Sequence, residues 1–156
     1  MVEVSLPIRG GCLCGACRYE LRKPPYMVYV CHCTDCRRQS GSAFGMTMPA
    51  PRAALALLTG SPSSYPRTLP SGRASVVRFC GVCACRLYAE GSAEVVAIRP
   101  GTLDDSSWVR PAAQNCMRSA LGWACLADLP GHEQNPPSYE DISRAWRAQG
   151  IQFVSR

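Results

Sequence analysis

Nine of the eleven cysteines in this 156-residue chain fall into three tight groups. They read Cys12-x-Cys14-x-x-Cys17, Cys31-x-Cys33-x-x-Cys36 and Cys80-x-x-Cys83-x-Cys85, while Cys116 and Cys125 stand alone. Scaffold disulfides spread their cysteines to staple distant loops, whereas metal sites gather them in knuckles, so this spacing points to metal coordination. Two residues apart on a strand, side chains leave the same face, so a Cys-x-Cys pair chelates one ion from extended backbone. A Cys-x-x-Cys turn reaches the same geometry from a tight knuckle.

Cys31-His32-Cys33-Thr34-Asp35-Cys36 combines both devices and directs three thiolates at one point. Zinc held by three protein ligands keeps a fourth position open to water or substrate, the arrangement used for catalysis. Cys12-x-Cys14 and Cys80-x-x-Cys83 are half-sites distant in sequence. Joined, they make a closed four-thiolate site that contributes folding free energy and no chemistry. Pairing Cys14-x-x-Cys17 with Cys80-x-x-Cys83 as a plain zinc ribbon satisfies the spacing too, and spacing alone does not choose.

The elements that must position these groups are short. Residues 2–21 read as strand, tight turn, strand: Gly10-Gly11 punctuates the first, and Cys17, Tyr19 and Leu21 alternate with Arg18, Glu20 and Arg22. Residues 27–31 form an apolar run that enters the second cysteine group directly. Residues 37–41 allow one helical turn, and 42–48 return to extended structure until Pro49 stops it. Ser61-Pro62-Ser63-Ser64-Tyr65-Pro66, with Pro70-Ser71-Gly72, reads as a surface loop. Strands are expected over 74–79, 87–89 and 94–99, with a turn at Leu103-Asp104-Asp105-Ser106. The one clear helix signal lies at the C-terminus, where Ser138 and Asp141 match a capping box. Ile142, Ala145 and Trp146 form an apolar stripe there, and Gly150 supplies the stop. The expected architecture is one mostly-β domain with a short helical tail.

Hydrophobic residues make up 47% and charged residues 18%, a balance that excludes a disordered tail. No apolar run approaches the roughly 18 residues that a membrane span needs. The opening residues Met1-Val2-Glu3-Val4-Ser5 show neither a basic segment nor an apolar stretch. Export is therefore not expected, and a cytoplasmic location, where thiols stay reduced, is. The formal charge of +6 suggests nucleic acid at first sight, but filling both zinc sites would lower it to about +3. Sixteen of the seventeen basic residues are arginine, scattered along the chain, with Arg37-Arg38 the only adjacent pair. No nucleic-acid partner is expected.

Each remaining residue of interest has a plain reading beside any functional one. Cys17 shares a strand face with Tyr19 and Leu21, and Cys85 alternates with Leu87, so both read as small core residues. Cys116 and Cys125 read as buried packing residues. His32, between two ligands, points to the opposite face and is not a ligand. His132 reads as a solvated loop residue, and Asp35 as a cap for backbone N–H groups in its knuckle. Arg37 and Arg38 flank the three-thiolate group, where they either meet an anionic substrate or face solvent. Trp108, Trp123 and Trp146 read as packing residues.

Three stretches together carry a resemblance. They are Gly11-Cys12-Leu13-Cys14-Gly15-Ala16, then Cys31-His32-Cys33-Thr34-Asp35-Cys36-Arg37 with Ser40-Gly41, then Phe79-Cys80-Gly81-Val82-Cys83. The likeness runs on through Gly101-Thr102-Leu103-Asp104-Asp105, Arg118-Ser119-Ala120 and Trp123, over roughly residues 9–133. In this order the chain resembles the glutathione-dependent formaldehyde-activating enzyme family, which also contains the centromere protein V homologues. The resemblance implies a compact, mainly-β, Mss4-like fold stabilised by zinc. It assigns a structural zinc to Cys12, Cys14, Cys80 and Cys83, and a catalytic, labile zinc to Cys31, Cys33 and Cys36. The implied activity is of the carbon–sulfur lyase type, adding a thiol such as glutathione to formaldehyde or a related small aldehyde to give an S-hydroxymethyl thiol. Residues 1–133 would carry that domain and 134–156 a tail with a short helix. The chain departs from its relatives at Ala84, where they often carry glycine, and at Gln114-Asn115, where they often carry His-Ile. Cys17 and Cys85 also stand where relatives usually have non-ligand residues. A non-enzymatic zinc module that binds protein or nucleic acid is the alternative.

Overall fold

Thirteen glycines and thirteen prolines cut the chain into short elements. The computed structural model describes residues 2–69 and 71–155. In chain order the elements are β1 (Val2–Leu6), β2 (Ile8–Gly11), β3 (Arg18–Leu21), β4 (Tyr29–Cys31), α1 (Thr34–Ser40) and β5 (Gly45–Pro51). There follow β6 (Leu55–Thr59), β7 (Ser63–Thr68), β8 (Ala74–Phe79), β9 (Arg86–Glu90) and β10 (Val95–Ile98). The last are β11 (Gln114–Asn115), β12 (Gly131–His132), α2 (Glu140–Arg147) and β13 (Ile151–Ser155). The architecture is mainly β, as the sequence leads one to expect.

Eight strands form one sheet in the order β12-β11-β4-β5-β10-β9-β8-β7. The β2–β3 hairpin and β6 make a second sheet of three strands. Between them lies a core that includes the fully buried Tyr19, Leu21, Val28, Met48, Leu87 and Ile98. Cys12, Cys17 and Cys80 belong to the same core, so the first and third cysteine groups sit where the two sheets meet.

Two proline readings change. Pro49 does not stop β5, which runs on to Pro51 and pairs with β10 through Ala97↔Pro49. The Pro49 carbonyl accepts from the Tyr26 N–H at 2.9 Å, on the flank beyond the end of the β4 ladder. A missing N–H on that flank removes no ladder bond. Residues 63–68 are not loop but β7, paired over its whole length with β8. As the outer strand of the sheet it is almost wholly exposed and tolerates Pro66, so its composition imitates a loop. Pro70 lies outside the described residues.

The tail is part of the body. α2 buries Ile142 and Trp146, while Ala145 is exposed, so the stripe is narrower than the sequence suggests. The Ser138 hydroxyl accepts from the Glu140 N–H at 3.2 Å, and Asp141 pairs instead with Arg144 on the helix surface. Beyond Gly150, which adopts a positive φ, β13 pairs in parallel with β1 from Val2↔Ile151 to Leu6↔Ser155. Trp146 donates its indole N–H to the Arg110 carbonyl and packs with Phe153, which meets Trp108 edge-on. Truncating such a buried tryptophan removes a large apolar area and leaves a cavity. Trp146→Ala is therefore expected to cost about 3–5 kcal/mol, read as a lowered urea midpoint; an unchanged midpoint would show that the tail adds nothing.

Candidate metal centre

The β2–β3 hairpin carries Cys12 and Cys14 in its turn, and the β8–β9 turn carries Cys80 and Cys83. The structure brings these four sulfur atoms within 4.8 Å of one another. Cys12 and Cys14 sulfurs lie 3.6 Å apart, and Cys14 and Cys80 sulfurs 3.8 Å apart. Tetrahedral zinc at about 2.3 Å from each sulfur sets its ligands about 3.8 Å from one another, so the donor set is compatible with that ion. Backbone amides complete the fit. The Cys17 N–H donates to Cys12 Sγ at 3.2 Å, and the Cys85 and Cys14 N–H groups serve Cys83.

Electrostatics make four neighbouring thiols reluctant to ionise together. The Cys17 N–H holds Cys12 down at about 6. The Ala16 N–H also pulls Cys14 down, yet Cys14 ends at about 12, because the Cys12 sulfur and burial oppose a second negative charge. Cys17 is buried and stays outside the group of four, as a core residue should. Cys85 is half-buried and packs against the core.

The three-cysteine group is built differently. Cys31 ends β4 and is buried; Cys33 precedes α1, and Cys36 lies in its first turn. Their sulfurs also lie within 4.8 Å of one another, and among the described residues no further Cys, His, Asp or Glu ligand atom joins them. The helix starts earlier than the sequence suggests because Cys33 is its N-cap: Cys33 Sγ accepts from the Cys36 N–H at 3.3 Å. That is the office expected of Asp35, which instead forms an ion pair with Arg67 at 2.6 Å. The neighbouring Cys31 and Cys36 sulfurs, sharing their protons with it, hold Cys33 well below an ordinary thiol. Cys31 is pushed well above one by Cys33, by Cys36 and by burial.

Around this group the sequence reading is corrected at several points. Cys116 is not an isolated packing residue. It is half-buried, has a φ of 60° and interacts with the Cys31 thiol, although it does not gather with the three. Cys116 directly follows β11, whose pairing with β4 is long-range and announced by no local pattern. Cys125 and Trp123 are both exposed, Trp123 at 81%, so neither packs. His32 is fully buried, stays outside the sulfur group, and has Nε2 3.2 Å from Gln114 Oε1. Gln114 in turn donates to the Leu126 and Leu129 carbonyls. Asn115 pairs in register with Cys31, is fully buried, and finds no hydrogen-bond partner for its amide among the described residues. Arg37 is tied to the Ser119 carbonyl at 2.8 Å, and Arg38 is exposed.

Two cysteine groups on a mainly-β frame, one of four sulfurs and one of three, define a domain built around two sets of side chains that could hold metal ions. The sequence profile of the glutathione-dependent formaldehyde-activating enzymes matches residues 7–119, and the chain belongs to that family. The match takes in both cysteine groups and ends short of Trp123. No curated protein matches the chain. Among solved structures it is similar to a Rhodobacter sphaeroides protein determined as a structural-genomics target, at 18% identity and a TM-score of 0.50. That similarity covers 80% of this chain and 100% of the other, and it speaks for the fold alone. No described helix is long and apolar enough to cross a membrane.

Two outcomes follow from the geometry. Metal uptake must displace thiol protons, so zinc affinity is expected to fall as pH is lowered, and the stability that zinc confers falls with it. Zinc release followed by a chromophoric chelator across a pH series checks this; release independent of pH would contradict it. Ala84, in the β8–β9 turn, holds a φ of 58° where relatives often carry glycine. Ala84→Gly is therefore expected to raise stability by about 0.5–1 kcal/mol, strain relief exceeding the entropy lost, as a small increase in Tm.

Proposed function

We propose that this chain adds a thiol such as glutathione to formaldehyde or a related small aldehyde, with Cys31, Cys33 and Cys36 as its catalytic centre. Cys12, Cys14, Cys80 and Cys83 would hold a structural zinc, and Cys31, Cys33 and Cys36 a second zinc. When bound by three thiolates, zinc supplies Lewis acidity that favours an ionised thiol and a polarised carbonyl oxygen. Family membership supports glutathione and formaldehyde as reactants. The observation that carries the reading is a three-sulfur group beside an open cleft of about 360 Å³, which reaches Gly45 next to Cys36.

In the net reaction the thiol sulfur bonds to the aldehyde carbon, the carbonyl π bond opens, and the thiol proton ends on the oxygen. The chain's own part is chiefly to position. The Cys36 N–H fixes the Cys33 sulfur, and the Gln114 side chain fixes the His32 ring, locking the backbone between two ligands. Phe44 stands edge-on to that ring and also lines the cleft, giving the aldehyde an apolar wall. The unit carrying this chemistry is residues 1–133, supported from behind by residues 134–156, and its setting is the reducing cytoplasm.

Zinc analysis and turnover test the reading together. The wild-type chain is expected to hold two zinc ions, and Cys33→Ser one, with thiol-dependent consumption of formaldehyde reduced at least about a hundredfold. One tightly held zinc and no turnover would instead favour a binding module.

A further inference from the structure

Gln114 and Asn115 are neighbours on β11 and both are buried, yet their amides are served very differently. Gln114 Oε1 accepts from the Leu126 N–H at 2.8 Å, and its Nε2 donates to the Leu126 and Leu129 carbonyls. Asn115 is wholly shielded from water, and neither Nδ2 nor Oδ1 has a hydrogen-bond partner among the described residues. A buried amide left unpaired is costly, so its retention calls for a use.

The ladder fixes what lies beside that amide. β11 runs parallel to β4 with Asn115 opposite Cys31, and the Asn115 carbonyl accepts from the His32 N–H at 2.9 Å. Residues in register on adjacent strands send their side chains to the same face, across a spacing of about 4.8 Å. Other polar groups near Cys31 are engaged. Tyr29, two residues before it, hydrogen-bonds to Tyr139. Thr47, the β5 partner of Tyr29, accepts from Arg99 at 3.0 Å. The Cys116 thiol donates to Asn135 Oδ1 at 3.5 Å. That leaves the Cys31 sulfur, whose own contacts are with neighbouring sulfurs and the Cys33 N–H. A protonated thiol accepts weakly, whereas a thiolate on a metal is a charged acceptor.

We propose that Asn115 is a positioning residue for the group of three: it donates its side-chain N–H to the Cys31 sulfur once that sulfur is a metal-bound thiolate, and so strengthens the triad's hold on its metal. This rests on the reading of Cys31, Cys33 and Cys36 as a metal centre. Cys31 is the buried member of the three, so charge on its sulfur is the least solvated and gains most from a fixed donor. Hydrogen bonds to metal ligands commonly change affinity about ten- to a hundredfold.

Two metal substitutions test the role. In the full chain loaded with the spin-half isotope of cadmium, one side-chain amide proton, identified by its through-space contacts with Cys31, is expected to show scalar coupling to the metal through the sulfur. Absence of coupling, or coupling to another side chain's amide alone, overturns the proposal, and this measurement needs no variant. In the cobalt-loaded chain, Asn115→Leu is expected to move the sulfur-to-cobalt charge-transfer bands to longer wavelength, because a thiolate without its donor gives up an electron more readily. The same variant is expected to surrender the triad's zinc to a chelator about tenfold more readily, with the zinc of the group of four unchanged. Asn115→Asp, which keeps the shape and removes the donor, is expected to lose at least as much. Unshifted bands with unchanged release in either folded variant overturn the proposal. So does equal loss at both zinc sites, which would mark a general loosening of the fold. The enzyme reading fails on other grounds. Coupling without turnover removes the catalyst and keeps the role of Asn115, turnover without coupling removes that role alone, and a triad that takes up no metal overturns both.

Discussion

Sulfur atoms gathered within 4.8 Å repel one another as soon as more than one is charged, and that repulsion organises the molecule. In the group of four, Cys12 settles near 6 while Cys14 is driven to about 12, so the thiols do not ionise as a set at neutral pH. A dication bound by the four would remove the conflict and hold the hairpin turn of β2–β3 against the turn of β8–β9. A small β domain would thereby gain a cross-link between its two sheets in addition to their apolar core. The amides of Cys17 and Cys85 are spent on the sulfurs, which shows how far the backbone is bent to this purpose.

The two groups divide the labour by their mounting. One lies on two turns far apart in sequence, where it ties pieces together. The other lies within six residues, on the end of a buried strand and the first turn of a helix, where it needs no distant partner to keep its shape. Near the triad, on the other side of Gly45, lies a cleft walled by β5, β9 and the C-terminal part of α1.

Much of this was legible in the residues. Cysteine spacing located the group of three, the family resemblance chose the pairing that makes the group of four, and alternation marked β3, because ligand geometry and strand pleat are local properties. What stayed hidden was non-local. β7 looks like a loop because an exposed outer strand needs neither alternation nor freedom from proline. The β1–β13 pairing joins residues about 150 apart, so no window of sequence contains it. Asp35 has the chemistry of a cap, but Arg67 on β7 claims it and leaves the capping to a sulfur. Trp123 and Cys125 have core-like side chains that the short turns after β11 leave in solvent. Ala84 is the reverse case: its left-handed backbone could be read from the glycine that relatives often carry there.

Cys33 has two duties, as a member of the sulfur triad and as the first anchor of α1. The same helix presents Gln39 to Arg86 and Asp35 to Arg67. Whatever draws the Cys33 sulfur out of place, whether oxidation or demetallation, therefore loosens the leading turn of the helix and the Asp35–Arg67 contact it carries. Ion occupancy and the outline of the neighbouring recess are mechanically one variable, so an emptied triad would also be a deformed receptor.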